Sequence, residues 1–195
     1  MLGVYIGLKV DRQERIRRAN AAWVKLKPRL WKSKLSRRTK AVIVQAVVES
    51  TLLFDAQARC WTTTDLKKLQ STVDKCYRFI WNDGKGLPKI RMQREHTNSY
   101  NIRRQLGVHS VQYKVEKRSL ERLGHVLRMP NERLAKKVIL GRWNETPTRK
   151  TGNRDNIISY WKKLLREMGE EWTNAENLTK VRKKWKKKRM RDTHR

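Results

Sequence analysis

Apolar positions are densest over residues 36–54, the stretch SRRTKAVIVQAVVESTLLF. Ala41, Val42, Ile43, Val44, Ala46, Val47, Val48, Leu52, Leu53 and Phe54 leave Gln45 and Glu49 as one narrow polar stripe. Ser36 is a good N-cap, since its hydroxyl accepts a bond from a free amide of the first helical turn. The run is too long for a buried strand and too polar at both ends for a membrane span. The pattern predicts a central helix covered on most sides by its neighbours, with Val44, Val47, Val48 and Leu52 at the heart of a core.

The flanking segments supply such neighbours. Over residues 11–31, Ile16, Ala19, Trp23, Leu26 and Leu30 recur at three- and four-residue steps, the stripe of a helix packed on the central one. Arg12, Arg15, Arg17, Arg18, Lys25, Lys27 and Arg29 fall largely off that stripe, and Pro28 is expected to kink the last turn. Before it, residues 1–10 (MLGVYIGLKV) read as a short strand with two glycines. After a polar bend, Thr63 or Thr64 can cap a helix carrying Leu66, Leu69, Val73, Cys76 and Ile80, stopped by Asn82-Asp83-Gly84. Residues 11–83 thus form a three-helix bundle.

Downstream the helical pattern is more broken. Residues 84–145 read as a connector: a linker, a short helix from Asn101 ended by Gly107, and a helix capped by Ser110 with Leu120, Leu123 and Leu127. Pro130 breaks that helix, and a shorter one with Leu134, Val138 and Ile139 follows. Over residues 146–195, Ile158, Trp161, Leu165 and Met168 form another stripe. Thr173 and Glu176 have capping-box spacing, and a basic run follows Trp185. The fold class is mainly α: a short N-terminal strand, the bundle, further helices and a basic tail.

Charge changes the picture from fold to partner. The chain of 195 residues has 49 Lys+Arg against 18 Asp+Glu, a net charge of +31 and a pI near 10.9. Such an excess repels itself without a polyanion, so nucleic acid is the default partner. A membrane surface fits less well, because no long helix pairs a basic face with a strongly lipophilic one. Two cysteines build neither a disulfide framework nor a zinc cluster and suit a reducing, intracellular compartment. Cys60, Cys76, His96 and His125 fit no common zinc spacing, and Cys76 falls on an apolar stripe. No phosphate loop, paired carboxylates or nucleophile–base pair is present, so no catalytic residue and no cofactor are assigned.

Basic residues recur in nearly every helix. Lys25, Lys27, Arg29, Lys32, Lys34, Arg37, Arg38 and Lys40 crowd the turn into the central helix, whose free amides add a phosphate site. Lys183, Lys184, Lys186, Lys187, Lys188 and Arg189 crowd the tail, where a run of this kind is also a nuclear import signal. Self-repulsion in that run suggests that its helix extends past Trp185 only on nucleic acid. Trp31, Trp81, Trp143 and Trp172 lie near element ends, where an indole can stack on a base.

Several of these stretches together resemble the C-terminal part of LINE-type non-LTR retrotransposon reverse transcriptases. Tyr5-Ile6-Gly7 resembles the Tyr-Leu-Gly signature that ends the palm, with Gly3-Val4 where an aromatic–basic pair often precedes it. Residues 16–31, LSRRT at 35–39, the apolar helix into Thr51-Leu52-Leu53-Phe54, and Trp61-Thr62 look like the thumb. RSLERLGHVLRM at 118–129, continued through 130–141, is similar to the GHV-x-RM stretch near the end of these polyproteins. The resemblance implies a primer-grip remnant at Tyr5, Ile6 and Gly7, and a thumb whose basic residues cradle template RNA–DNA duplex. It also implies that the palm and fingers, with the aspartates that hold magnesium, lie upstream. On that reading the fragment has no chemistry of its own and works in the nucleus. The other class the sequence allows is a stand-alone basic nucleic-acid-binding or scaffold protein derived from a retroelement.

Overall fold

The computed structural model describes residues 8–83, 98–141 and 157–191, which are helices and their connections, with no strand among the described residues. The chain divides into two compact units. One comprises Met1–Asp55 and Trp61–Gln112, the other Ala56–Cys60 and Tyr113–Arg195.

The first unit holds α1 (Leu8–Lys32), α2 (Arg37–Val44), a wide π-turn (Gln45–Glu49), α3 (Ser50–Leu52), α4 (Thr63–Trp81) and α5 (Ser99–Leu106). Residues 8–10, expected in a strand, form the first turn of α1, and residues 1–7 lie outside the described residues. The helix starts early because Asp11 sits in its first turn, where a carboxylate complements the free amides. Asp11 also accepts from Arg15 Nε at 2.6 Å. Arg15, expected on the solvent side, is buried. Its Nη1 donates to the carbonyls of Leu52 and Phe54, and its guanidinium lies 5.5 Å from the Trp61 ring centre. It therefore closes the C-terminal end of α3. The helix also continues through Pro28 to Lys32.

The central helix begins as expected: Ser36 Oγ accepts from the Thr39 amide at 3.1 Å. It is covered on one side, not most. Ala41, Val44, Val48, Leu52 and Leu53 are buried, whereas Val42 is 58% and Val47 39% exposed. Val47 is therefore no core residue. Glu49, read as part of a polar stripe, is buried and accepts from Tyr77 Oη of α4 at 2.5 Å. The π-turn makes this possible, because the Ser50 amide bonds to the Gln45 carbonyl and the turn is wider than an α-turn. The displaced carbonyls of Ala46 and Val47 accept the hydroxyls of Ser50 at 2.5 Å and Thr51 at 2.8 Å.

By length and composition alone the stretch Arg37–Ala58 is apolar enough to cross a membrane. The buried Glu49–Tyr77 bond and the packing against α1 and α4 make it a core helix. Burial, followed by the Glu49 charge, pushes the Tyr77 phenol far above its usual range and the Cys76 thiol up to about 12. Both groups stay neutral in the core.

On α4, Leu66, Leu69, Val73, Cys76 and Ile80 all face inward. Its cap is Thr62, one residue before the expected pair: Thr62 Oγ1 accepts from the Asp65 amide at 3.1 Å and bonds to the Asp65 carboxylate at 2.8 Å. Burial raises the Asp65 pKa, but the bonds from Thr62 and Arg12 outweigh it and hold the carboxyl below its ordinary value. α5 closes on α4 through Arg103–Asp74 at 2.7 Å and Arg78–Ser99 at 2.6 Å. Gly107 ends α5 with φ +69, the left-handed conformation that glycine adopts without strain.

The second unit contains most of α6 (Val111–Arg128), then α7 (Leu134–Gly141), α8 (Ile157–Glu167), α9 (Trp172–Lys180) and α10 (Arg182–Arg191). Leu120, Leu123, Val126, Ile158, Trp161, Leu164, Leu165, Ala175 and Trp185 form its core. Trp161 Nε1 donates to the buried Ser119 hydroxyl at 2.9 Å, so the indole enters the core with its donor satisfied. Thr173 is not the cap of α9. Glu171 holds that position, and Glu176 instead accepts from Trp172 Nε1 at 3.1 Å.

These packings separate two neighbours on one helix. Val48→Asp places an unpaired charge in the core and is expected to destabilise the first unit by about 3–5 kcal/mol. Val47→Asp should cost about 1 kcal/mol or less. Thermal melts of the two variants check this, and equal losses would mean that the two faces of the central helix are not distinguished by burial.

Candidate nucleic-acid interface

No Asp or Glu occurs between Glu14 and Glu49. The turn at residues 33–36 links α1 to α2 in the middle of that acid-free span. Lys25, Lys27, Arg29 and Lys32 are exposed along the second half of α1, Lys34 is exposed in the turn, and Arg37 and Arg38 are exposed at the start of α2. Lys40 is half-buried. All eight basic residues expected here thus belong to one helix–turn–helix. Upstream, Glu14 is held at about 2 by hydrogen bonds from Arg17 and Arg18, so it stays ionised.

Three of these cations have aromatic or acidic partners or pack on backbone. Lys27 Nζ lies 4.8 Å from the Phe79 ring centre. The Arg37 guanidinium lies 5.0 Å from the Trp81 ring centre and donates to Asp83 Oδ2 at 2.6 Å, a bond that raises its pKa. Arg38 packs over Gly107, where an added Cβ would meet Nη2 at 3.1 Å. The sequence pattern does not single out Phe79 or Asp83 as contributors. Phe79 gives one signal, an aromatic residue just off the apolar stripe of α4.

The second basic site is α10. The helix runs past Trp185 to Arg191. Two contacts oppose the self-repulsion of the lysines. Trp185 is buried and donates from Nε1 to the Leu120 carbonyl at 3.2 Å, and Lys188 pairs with Glu170 at 2.7 Å. Lys183, Lys184, Lys186 and Lys187 remain exposed, while Lys188 is half-buried. The side chain of Arg189, like the whole of Tyr5, Gly7, His96 and Trp143, lies outside the described residues.

The GHV-x-RM stretch is what seats this helix. Gly124 is buried against Trp185: an added Cβ would fall on the indole nitrogen and within 2.7 Å of Cδ1. Val126 lies in the core, Arg128 Nη1 donates to the Thr179 carbonyl at 3.3 Å, and His125 is exposed. Lys136 of α7 donates to the Leu127 and Met129 carbonyls at 3.1 and 2.9 Å, which caps the end of α6 before Pro130. The motif is a socket for the Trp185 anchor.

Among the described residues no three His, Cys, Asp or Glu side chains converge as a metal-holding group. Asp11, Asp65 and Asp74 are bound by arginines and Glu49 by Tyr77. No protein-family model, curated protein or solved structure matches the chain.

The socket makes a direct prediction. Gly124→Ala should force the indole to move and destabilise the second unit by about 1–3 kcal/mol. Its signature is a shift in tryptophan emission together with a lower melting temperature. An unchanged melt would mean that Trp185 is not held against Gly124.

Proposed function

We propose that this chain is the nucleic-acid-gripping C-terminal part of a LINE-type reverse transcriptase. It holds a template RNA–DNA duplex by its phosphates and leaves the chemistry to the palm and fingers upstream. On this reading α1, α2 and α4 are the thumb, with Tyr5 and Gly7 in the primer grip. The run in α10 adds a second phosphate-binding element and directs the chain to the nucleus. The observation that carries the proposal is the acid-free span between Glu14 and Glu49, along which α1, the turn at 33–36 and the start of α2 expose Lys25, Lys27, Arg29, Lys32, Lys34, Arg37 and Arg38. The order of the Tyr-Ile-Gly, LSRRT and GHV-x-RM stretches supports assigning that surface to a polymerase thumb.

A grip of this kind reads backbone and not bases, since guanidinium and ammonium groups pair with phosphates of any sequence. Asp83 fits such a role by fixing Arg37 at the edge of the surface, over Trp81. The amides at the start of α2 lie beside Arg37 and Arg38 and add partial positive charge.

Replacing Arg37 and Arg38 by Ala should weaken binding to duplexes of unrelated sequence about equally, as read by fluorescence anisotropy. Loss confined to one sequence would indicate base readout and overturn the proposal. For α10 the informative change is Lys183, Lys184, Lys186 and Lys187 to Gln, which keeps Trp185 in its socket; deleting the tail would remove a core residue. The slope of log affinity against log salt should flatten by about 0.9 for each phosphate of duplex DNA that the lysines no longer neutralise. An unchanged slope and unchanged nuclear accumulation would mean that α10 is only a solvated end.

A further inference from the structure

We propose that the recess between the ends of α1 and α4 receives one unpaired nucleobase, so that the chain prefers a duplex carrying a single-stranded end. This inference rests on the nucleic-acid reading above and adds a second kind of contact to it. The recess has a volume of about 90 Å³ and is lined by Leu30, Trp31, Lys40, Phe79, Ile80 and Asp83. Leu30 and Ile80 are buried and form its apolar lining, while Trp31 is 50% exposed. The Trp31 ring leans on Phe79 at 5.9 Å between ring centres, and Trp23 holds Phe79 from the other direction in an edge-to-face contact at 5.4 Å. The exposed indole is therefore backed by two further rings, a platform suited to stacking a flat ligand.

Charge around the recess selects the ligand. Lys27 sits on Phe79, Lys40 lines the recess, and Arg37 is held at Asp83, so cations surround an aromatic surface. A free phosphate would be drawn to those cations but gains nothing from the apolar and aromatic lining of the recess itself. A nucleotide with a free base satisfies both conditions. Its phosphates bind the lysines and arginines, and its base stacks on Trp31. A base inside a duplex has both faces covered by its neighbours and cannot enter.

The test compares a blunt RNA–DNA duplex with the same duplex bearing a short single-stranded overhang, both titrated against the full chain. The overhang should raise affinity about tenfold, the size of one base–aromatic stack, and should quench indole emission. Trp31→Ala should bring the two affinities together, and Trp31→Phe should keep most of the difference. A melting temperature close to that of the parent chain confirms that the variants are folded. Equal affinity of the parent chain for both duplexes, or a loss in Trp31→Ala that is the same for both, overturns this inference alone. Absence of binding to either duplex overturns it together with the nucleic-acid reading.

Discussion

Carboxylates are scarce in this chain, and four of those in the first unit are placed where burial makes each one matter. Asp11, Asp65 and Asp74 each receive an arginine inside or at the edge of the core, and Glu49 receives the Tyr77 phenol. A buried carboxylate without such a partner would cost several kcal/mol. The pairs therefore constrain the packing: α1 docks on the end of α3 through Arg15, α4 on α1 through Asp65, and α5 on α4 through Asp74. Because these acids are turned inward, they do not neutralise the exposed lysines and arginines of α1 and α2. The ion pairs that close the core thus leave its surface cationic.

The second unit reaches a comparable result by a different route. Its core is built around tryptophans, Trp161 bonded to Ser119 and Trp185 bonded to the Leu120 carbonyl. An indole that fills a core and satisfies its donor fixes both position and orientation. Trp185 does this for a helix that could not hold itself, since an unbroken run of cations, Lys186 to Arg189, follows that residue. Gly124 supplies the space, so the one small residue in the GHV-x-RM stretch and the one large residue in the basic helix act as a pair. The conformation of the lysines is thereby tied to a packed core.

The π-turn in the central helix joins these themes. A regular helix with this composition would present valines around most of its circumference. The wider turn at Gln45–Glu49 carries Glu49 into the core, while Val42 and Val47 remain on the outer face. The hydroxyls of Ser50 and Thr51 satisfy the carbonyls that the wider turn displaces. The local sequence therefore carries the means to stabilise the irregularity.

The helices themselves were legible from the sequence because their causes are local. The 3–4 spacing of Leu66, Leu69, Val73, Cys76 and Ile80, the Ser36 cap and the Gly107 stop depend on neighbours within one or two turns. The net charge and the crowding of cations at residues 25–40 and 183–189 were equally plain. What the sequence could not show was which polar residues turn inward, because each partner lies far away along the chain: Arg15 with Leu52 and Phe54, Glu49 with Tyr77, Gly124 with Trp185. For the same reason Val47 read as core and Arg15 as surface. Helical periodicity gives the angle between residues on a helix, but only tertiary contacts choose which face is buried. The recess at Trp31 is likewise a tertiary product, since Leu30, Lys40, Phe79 and Asp83 meet only once α1, α2 and α4 have packed.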